Sequence, residues 1–156
     1  MVIEEGTNAP DFTLYSSEKA KISLSDHQGR NVLILFFPLA FTGVCTAELC
    51  EIRDNITQYN NLNTNILGIS VDSIYTLAKY KEDQQLNFTL LSDFNKEVST
   101  LYGSLYENFG FEMKGVGKRS AFLIDKQGIV QYAEVLENAQ QVPDFKKITD
   151  KLSVLV

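Results

Sequence analysis

Cysteine and histidine are scarce in this 156-residue chain, which has only Cys45, Cys50 and His27. Three soft ligands cannot close a four-coordinate zinc site, and His27 is far from both cysteines in sequence, so no metal site is expected. Two cysteines five positions apart do not make a disulfide scaffold either, since that device belongs to much shorter secreted chains. Long apolar runs are also missing. The longest, Val32 to Phe41, covers ten residues and contains Pro38, against the roughly 20 that a membrane span needs. Basic residues are in the minority, 14 Lys plus Arg against 20 Asp plus Glu. A net charge of −6 repels phosphate backbones and anionic lipid and so argues against nucleic-acid and membrane partners. The opening Met1-Val2-Ile3-Glu4-Glu5 has no basic region followed by an apolar stretch, so no secretory leader and a cytoplasmic location are expected. Repeats and low-complexity segments are absent too. The two cysteines are left with redox or nucleophilic chemistry, or with burial as inert thiols.

What is present has the balance of an ordinary globular protein, 44% hydrophobic and 22% charged. The length suits one domain, expected over residues 1–156. Val32-Leu33-Ile34-Leu35-Phe36-Phe37 is a continuous apolar run ended by Pro38, which predicts a strand buried on both faces. From Cys45 the period changes. Leu49, Ile52, Ile56 and Tyr59 recur at helical spacing between Glu48, Glu51, Asp54 and Asn55, predicting one amphipathic helix. Asn65 to Val71 reads as a second buried strand, followed by a helix capped by Asp72 or Ser73, reaching about Gln85 and facing inward through Ile74, Leu77 and Ala78. Phe88 to Leu91 is a short strand and Lys96 to Tyr102 a short helix. Gly103 to Lys118, with four glycines, reads as loop, with room for a fragment of order. Ala121–Ile124 and Ile129–Ala133 flank a turn and predict a hairpin. A helix from Pro143 to Leu152 closes the chain, and another hairpin, Asp11–Leu14 with Ala20–Leu24, opens it. This alternation predicts an α/β domain, a central sheet with helices on both faces.

The stretch from Phe36 to Cys50 runs from the buried strand through a turn into a helix, and sets Cys45 near the helix N-terminus. Ligands on open α/β sheets bind outside the carboxyl ends of the strands. Free backbone N–H groups and the positive end of the helix dipole gather there and stabilise a thiolate. Cys45 is therefore a candidate nucleophile. Pro38-x-x-x-Thr42-x-x-Cys45 resembles the signature of the peroxiredoxins, the AhpC/TSA family of thiol peroxidases with a thioredoxin-like fold. The likeness extends over nearly the whole chain. Gly6-x-x-Ala9-Pro10-Asp11-Phe12 resembles the family's opening, Val71-Asp72 the end of its second core strand, and Arg119 to Asp125 the late strand carrying its active-site arginine.

The resemblance implies a role for each matching residue. Cys45 would be the peroxidatic cysteine, attacking a peroxide oxygen and becoming a sulfenic acid. Thr42 would hydrogen-bond the thiolate and the peroxide through its hydroxyl. Pro38 would roof the sulfur against water. Arg119 would favour the thiolate and polarise the O–O bond, while the Val44 and Cys45 N–H groups complete the cradle. No cofactor is implied. Bland readings stand beside these. Taken alone, Thr42 is equally a helix cap and Arg119 a surface charge, while Glu48 fits the family's local pattern and is equally a solvated first-turn carboxylate helping the dipole. His27 reads as surface, and Phe36, Phe37 and Phe41 as core or interface aromatics. Gly115 to Ser120 lacks the spacing of a phosphate loop, and the absence of Cys-x-x-Cys argues against a disulfide exchanger of the thioredoxin type.

Cys45 and Cys50 form Cys-x4-Cys, a spacing that resembles the bacterioferritin-comigratory (PrxQ-type) branch, whose second cysteine resolves the sulfenic acid within one chain. Pro38 to Gly43 and Tyr132 to Val135 instead resemble the alkyl hydroperoxide reductase E branch, whose helix usually lacks that cysteine. On an ideal helix, Cα atoms five residues apart lie roughly 8.7 Å from each other, beyond the roughly 4.4–6.8 Å of a disulfide. A resolving Cys50 therefore requires the start of the helix to unwind. The implied partners are hydrogen peroxide or an alkyl hydroperoxide and a thioredoxin-like reductant, for a monomer or homodimer. The alternatives are a one-cysteine peroxidase with a bystander Cys50, and a peroxide-sensing redox partner protein.

Overall fold

The computed structural model describes residues 3–155. An N-terminal hairpin, β1 (Thr13–Ser16) and β2 (Lys21–Ser23), leads through a 3₁₀ turn to β3 (Asn31–Phe36). Helices α1 (Gly43–Asp54) and α2 (Ile56–Asn61) follow, then β4 (Thr64–Ser70), α3 (Ile74–Gln84), β5 (Thr89–Ser92) and α4 (Glu97–Leu101). A two-stranded ribbon, β6 (Leu105–Tyr106) with β7 (Val116–Gly117), precedes the hairpin β8 (Ser120–Ile124) and β9 (Val130–Val135) and the closing α5 (Phe145–Leu155). The main sheet has seven strands in the order β2-β1-β5-β4-β3-β8-β9. Strands β3, β4 and β5 are parallel, and β1, β8 and β9 join antiparallel, so the sheet is mixed.

All six residues of β3 are buried, as a strand covered on both faces requires. Leu33, Leu35 and Phe37 face one core with Leu49, Ile52, Tyr59, Leu77, Tyr80, Ile148 and Leu152, contributed by α1, α2, α3 and α5. Val32, Ile34 and Phe36 face a second core with Phe12, Leu24, Val98, Tyr102 and Phe122. Period-two alternation of one strand thus serves two cores. Among the described residues no helix is long and apolar enough to cross a membrane.

Some local expectations are corrected. The helix predicted from Cys45 through Tyr59 is broken at Asn55, where φ is −109° and ψ is 16°. The Asn55 side chain donates to the Glu51 carbonyl at 2.8 Å, the local competition with helix bonds that asparagine offers. Ser73 does cap α3, accepting from the Thr76 N–H, but Ala78 is exposed and Tyr80 takes the inward position beside Leu77. The last helix begins at Phe145 and leaves Pro143 ahead of it. The fragment of order allowed for in the 103–118 loop is the β6–β7 ribbon.

His27 departs from the surface reading. It is half-buried, its Nδ1 lies 2.9 Å from Asn65 Nδ2, and its Nε2 is buried without a partner among the described residues. Arg30 Nε donates to Asn65 Oδ1 at 3.2 Å, which turns the amide nitrogen toward His27 and makes Nδ1 an acceptor. Burial holds the His27 pKa below its ordinary value of 6.5; Asp26 opposes this and Arg30 reinforces it. The unfolded chain then binds more protons than the folded one as pH falls below 6.5, so stability should drop there. Urea midpoints of the native protein and His27→Asn, compared at pH above and below that value, should show the native protein losing more on acidification. Parallel curves would mean that His27 titrates freely.

Candidate active site

The site is assembled where β3 ends. Phe37 makes the last ladder bond, donating to the Ile69 carbonyl at 3.0 Å, and Pro38, which is buried and has no N–H, cannot extend the ladder. The next turn is tied to the end of β4. Asp72 Oδ2 accepts from the Ala40 N–H at 2.8 Å and from Ser70 Oγ at 2.7 Å. Phe41 sits in the left-handed region at φ 66°, unusual for a residue with a Cβ, with its ring 4.9 Å from that of Tyr80. Thr42 occupies the N-cap position of α1.

Cys45 lies in the first turn of α1 and is 1% exposed. The first intrahelical bond runs from the Thr46 N–H to the Thr42 carbonyl at 2.9 Å, so the Val44 and Cys45 N–H groups precede the helix ladder. Arg119, just ahead of β8, reaches across with all three guanidinium nitrogens engaged. Nη2 donates to Cys45 Sγ at 3.1 Å, Nη1 to Glu48 Oε1 at 2.7 Å, and Nε to the Ala139 carbonyl at 2.9 Å. Arg119 and Glu48 are each 1% exposed. The planar fork of arginine suits this three-point grip, which a lysine could not reproduce. Burial pulls the Arg119 pKa down, but the Cys45 sulfur and the Glu48 carboxyl outweigh it and hold the guanidinium firmly charged. Glu48 is pushed up to about 7, because burial outweighs the attraction of Arg119.

The structure thus brings Cys45 and Arg119 together, and neither is a bystander on the surface. Of the two readings of Glu48 the solvated carboxylate is overturned: the side chain is buried and completes the charged cluster from one turn further along α1. Its spacing of three from Cys45 was the available signal, since such residues share a helix face. Thr42 is placed differently from expectation. Its hydroxyl donates to the Leu39 carbonyl at 2.8 Å, and no hydrogen bond joins it to Cys45 or caps the helix. Cys50 is half-buried and directs its thiol to Gln84 Oε1 on α3 at 3.5 Å, so the two sulfurs face different neighbours and both are free. Tyr80, fully buried on α3, carries no functional signal in the sequence. Its hydroxyl lies 2.9 Å from Thr46 Oγ1 and ties the first turn of α1 to α3. Among the described residues no group of His, Cys, Asp and Glu side chains is arranged to hold a metal ion.

Comparison with known proteins agrees with this architecture. Residues 6–133 match the AhpC/TSA family. Alkyl hydroperoxide reductase E of Mycobacterium tuberculosis is 36% identical over 157 residues, covering 99% of each chain. The chloroplastic 2-Cys peroxiredoxin BAS1 of Spinacia oleracea is 37% identical over 141 residues, 83% of this chain and 51% of that one. Among solved structures, peroxidoxin BcpB of M. tuberculosis superposes with a TM-score of 0.87 at 25% identity, covering 99% of both chains. A PrxQ of Xylella fastidiosa gives the same TM-score at 22% identity over 99% and 98% of the chains, a likeness of fold, and that fold is thioredoxin-like. A sheet and a sequence that both match the same group leave one assignment: the chain belongs to the AhpC/TSA family, as a peroxidase that takes peroxide as substrate and a thiol as reductant.

Proposed function

We propose that Cys45 is the peroxidatic nucleophile and that Cys50 resolves it within the same chain, the product disulfide then being reduced by thioredoxin or a similar dithiol. The observation that carries this reading is the 3.1 Å contact from Arg119 Nη2 to Cys45 Sγ at the start of α1. A permanent cation and the first-turn N–H groups stabilise an anionic sulfur, and the thiolate is the reactive form. Arg119 also meets the negative charge that develops on the departing oxygen. With its own hydrogen on Leu39, the Thr42 oxygen is left as an acceptor for the O–H of the incoming peroxide. Pro38, buried just after β3, is assigned in this reading to limiting water at the sulfur. The whole chain acts as one domain in this reading, with hydrogen peroxide or an alkyl hydroperoxide as substrate.

Resolution requires movement. Cys45 and Cys50 lie on the same helix, α1, and its ideal geometry separates their Cα atoms too far for a bond. The first turns of α1 must open and lift Leu49, now fully buried, out of the core. A thiol tethered this close outruns most external thiols. One equivalent of peroxide should therefore remove two thiols, lower the intact mass by about 2 Da with no covalent dimer, and speed amide exchange across Thr46 to Ile52. A lasting sulfenic acid on Cys45 beside a free Cys50 would make this a one-cysteine enzyme. Stopped-flow turnover of the native protein and Cys50→Ser, with thioredoxin and with glutaredoxin, tests the reading and its reductant together.

A further inference from the structure

One guanidinium faces two acids in this site. Arg119 grips Cys45 Sγ through Nη2 and Glu48 Oε1 through Nη1, and its remaining nitrogen is held by the Ala139 carbonyl. Both acids are buried, so a reduced site with Cys45 and Glu48 both ionised would enclose two negative charges against one positive charge. Burying an uncompensated charge is costly, and a group in that position takes up a proton instead. The second carboxyl oxygen marks where. Glu48 Oε2 is buried and has no hydrogen-bond partner among the described residues, whereas Oε1 is held by Arg119. An orphaned oxygen is far less costly on a neutral carboxyl than on a carboxylate.

We propose that Cys45 and Glu48 share a single proton in the reduced protein, carried on Glu48 while the sulfur is a thiolate, and that Glu48 gives this proton to the departing oxygen as peroxide oxidises Cys45. The inference rests on Cys45 being the peroxidatic residue. In the step, the Cys45 thiolate attacks the terminal oxygen of the hydroperoxide; the S–O bond forms, the O–O bond breaks, and the oxygen keeps its hydrogen as sulfenic acid. The other oxygen leaves with the electron pair as hydroxide or alkoxide and takes the Glu48 proton. Sulfur is oxidised, peroxide is reduced, and no proton is drawn from solvent. Afterwards the sulfenic acid is neutral, Arg119 has one anion to itself, and the Glu48 carboxylate becomes its natural partner.

The surroundings agree. Burial raises the Glu48 pKa well above the usual carboxylate range against the pull of Arg119, and Glu51, on the same helix, adds to the rise. From α3 the Tyr80 hydroxyl meets Thr46 Oγ1 in the first turn of α1, and burial keeps that hydroxyl protonated, with Thr46 pulling the other way and Cys45, Cys50 and Glu48 adding to the rise. From β6 the Tyr106 hydroxyl donates to the Leu136 carbonyl at 2.7 Å, and burial raises its pKa against the pull of Arg119. Glu48 is then the acid of the cradle that changes charge near neutral pH.

The test counts protons. At about pH 6.5, stoichiometric oxidation of the native protein in weak buffer with a pH indicator should draw close to zero protons per peroxide, against about one for Glu48→Gln, whose thiolate has no internal donor. Formation of a Cys45–Cys50 disulfide consumes no proton, so resolution does not alter the count. Oxidised-minus-reduced infrared spectra of the native protein should show the carbonyl band of a protonated carboxyl disappearing, and this readout needs no variant. Glu48→Gln should lack that change. Uptake of about one proton by the native protein, or zero uptake with no carboxyl band lost, overturns the proposal. In the second case the proton sat on sulfur. Failure of peroxide to consume the Cys45 thiol at all would instead refute the peroxidatic reading, and is distinguished by a thiol count in the same sample.

Discussion

Cys45→Ser is expected to abolish peroxide turnover while leaving the fold in place. Cys45 is 1% exposed and belongs to the helix-covered core with Leu49, Ala40 and Phe37, and serine is smaller, so no clash results. The chemistry is lost because a serine hydroxyl supplies no useful anion near neutral pH, and no histidine is at hand to act as its base: the one histidine, His27, contacts Asn65 and lies off the Cys45 cluster. Turnover measured by peroxide consumption should fall to the background of the buffer. Circular dichroism should be unchanged, apart from a small loss of stability from the cavity. Retained turnover in the purified variant would remove Cys45 from the mechanism.

Arg119→Met should slow peroxide attack by roughly 10²–10³, the usual scale for losing one preorganised donor at a developing negative charge. The sequence alone would leave the fold untouched by this change. The structure says otherwise, because Arg119 is the partner of the buried Glu48. Removing one member of a buried pair costs roughly 3–5 kcal/mol, since the other charge is left uncompensated. The sign with pH is fixed by Glu48. Its folded pKa lies above its unfolded one, so Glu48 favours the folded state at low pH, and that contribution is lost as pH rises through the folded value near 7. The Arg119→Met penalty should therefore be larger at alkaline pH and shrink on acidification, when Glu48 becomes neutral. The double variant Arg119→Met with Glu48→Gln should regain most of the stability and none of the rate. Chemical denaturation at two pH values, beside single-turnover kinetics, separates the two effects. Equal destabilisation at both pH values would mean that the buried pair does not bear on folding.

Much of this was legible along the chain because it is local. The run Val32 to Phe37 has too few polar residues to face water on either side, so it had to be a central strand, and the structure buries every residue of β3. Pro38 stops a ladder wherever it occurs, and the change from continuous to helical periodicity after it announces a strand-to-helix turn with Cys45 at the helix start. The break at Asn55 was not legible in the same way. Leu49, Ile52, Ile56 and Tyr59 keep helical spacing across it, and only the side chain of Asn55 turning back on the Glu51 carbonyl divides them.

By itself, then, the sequence determined the α/β class, the position of the nucleophile relative to a strand and a helix, and the family, since these depend on periodicity, proline and a spaced motif read within a few turns of chain. Tertiary structure alone decided the electrostatics. Arg119 is 71 residues from Glu48 and 74 from Cys45 along the chain, and the three meet only because β8 pairs with β3 and delivers Arg119 to the end where α1 begins. Whether Glu48 is solvated or buried, and whether Thr42 donates to sulfur or to Leu39, depends on what packs over them. A charge's environment is set by neighbours in space, and those are absent from any window of sequence.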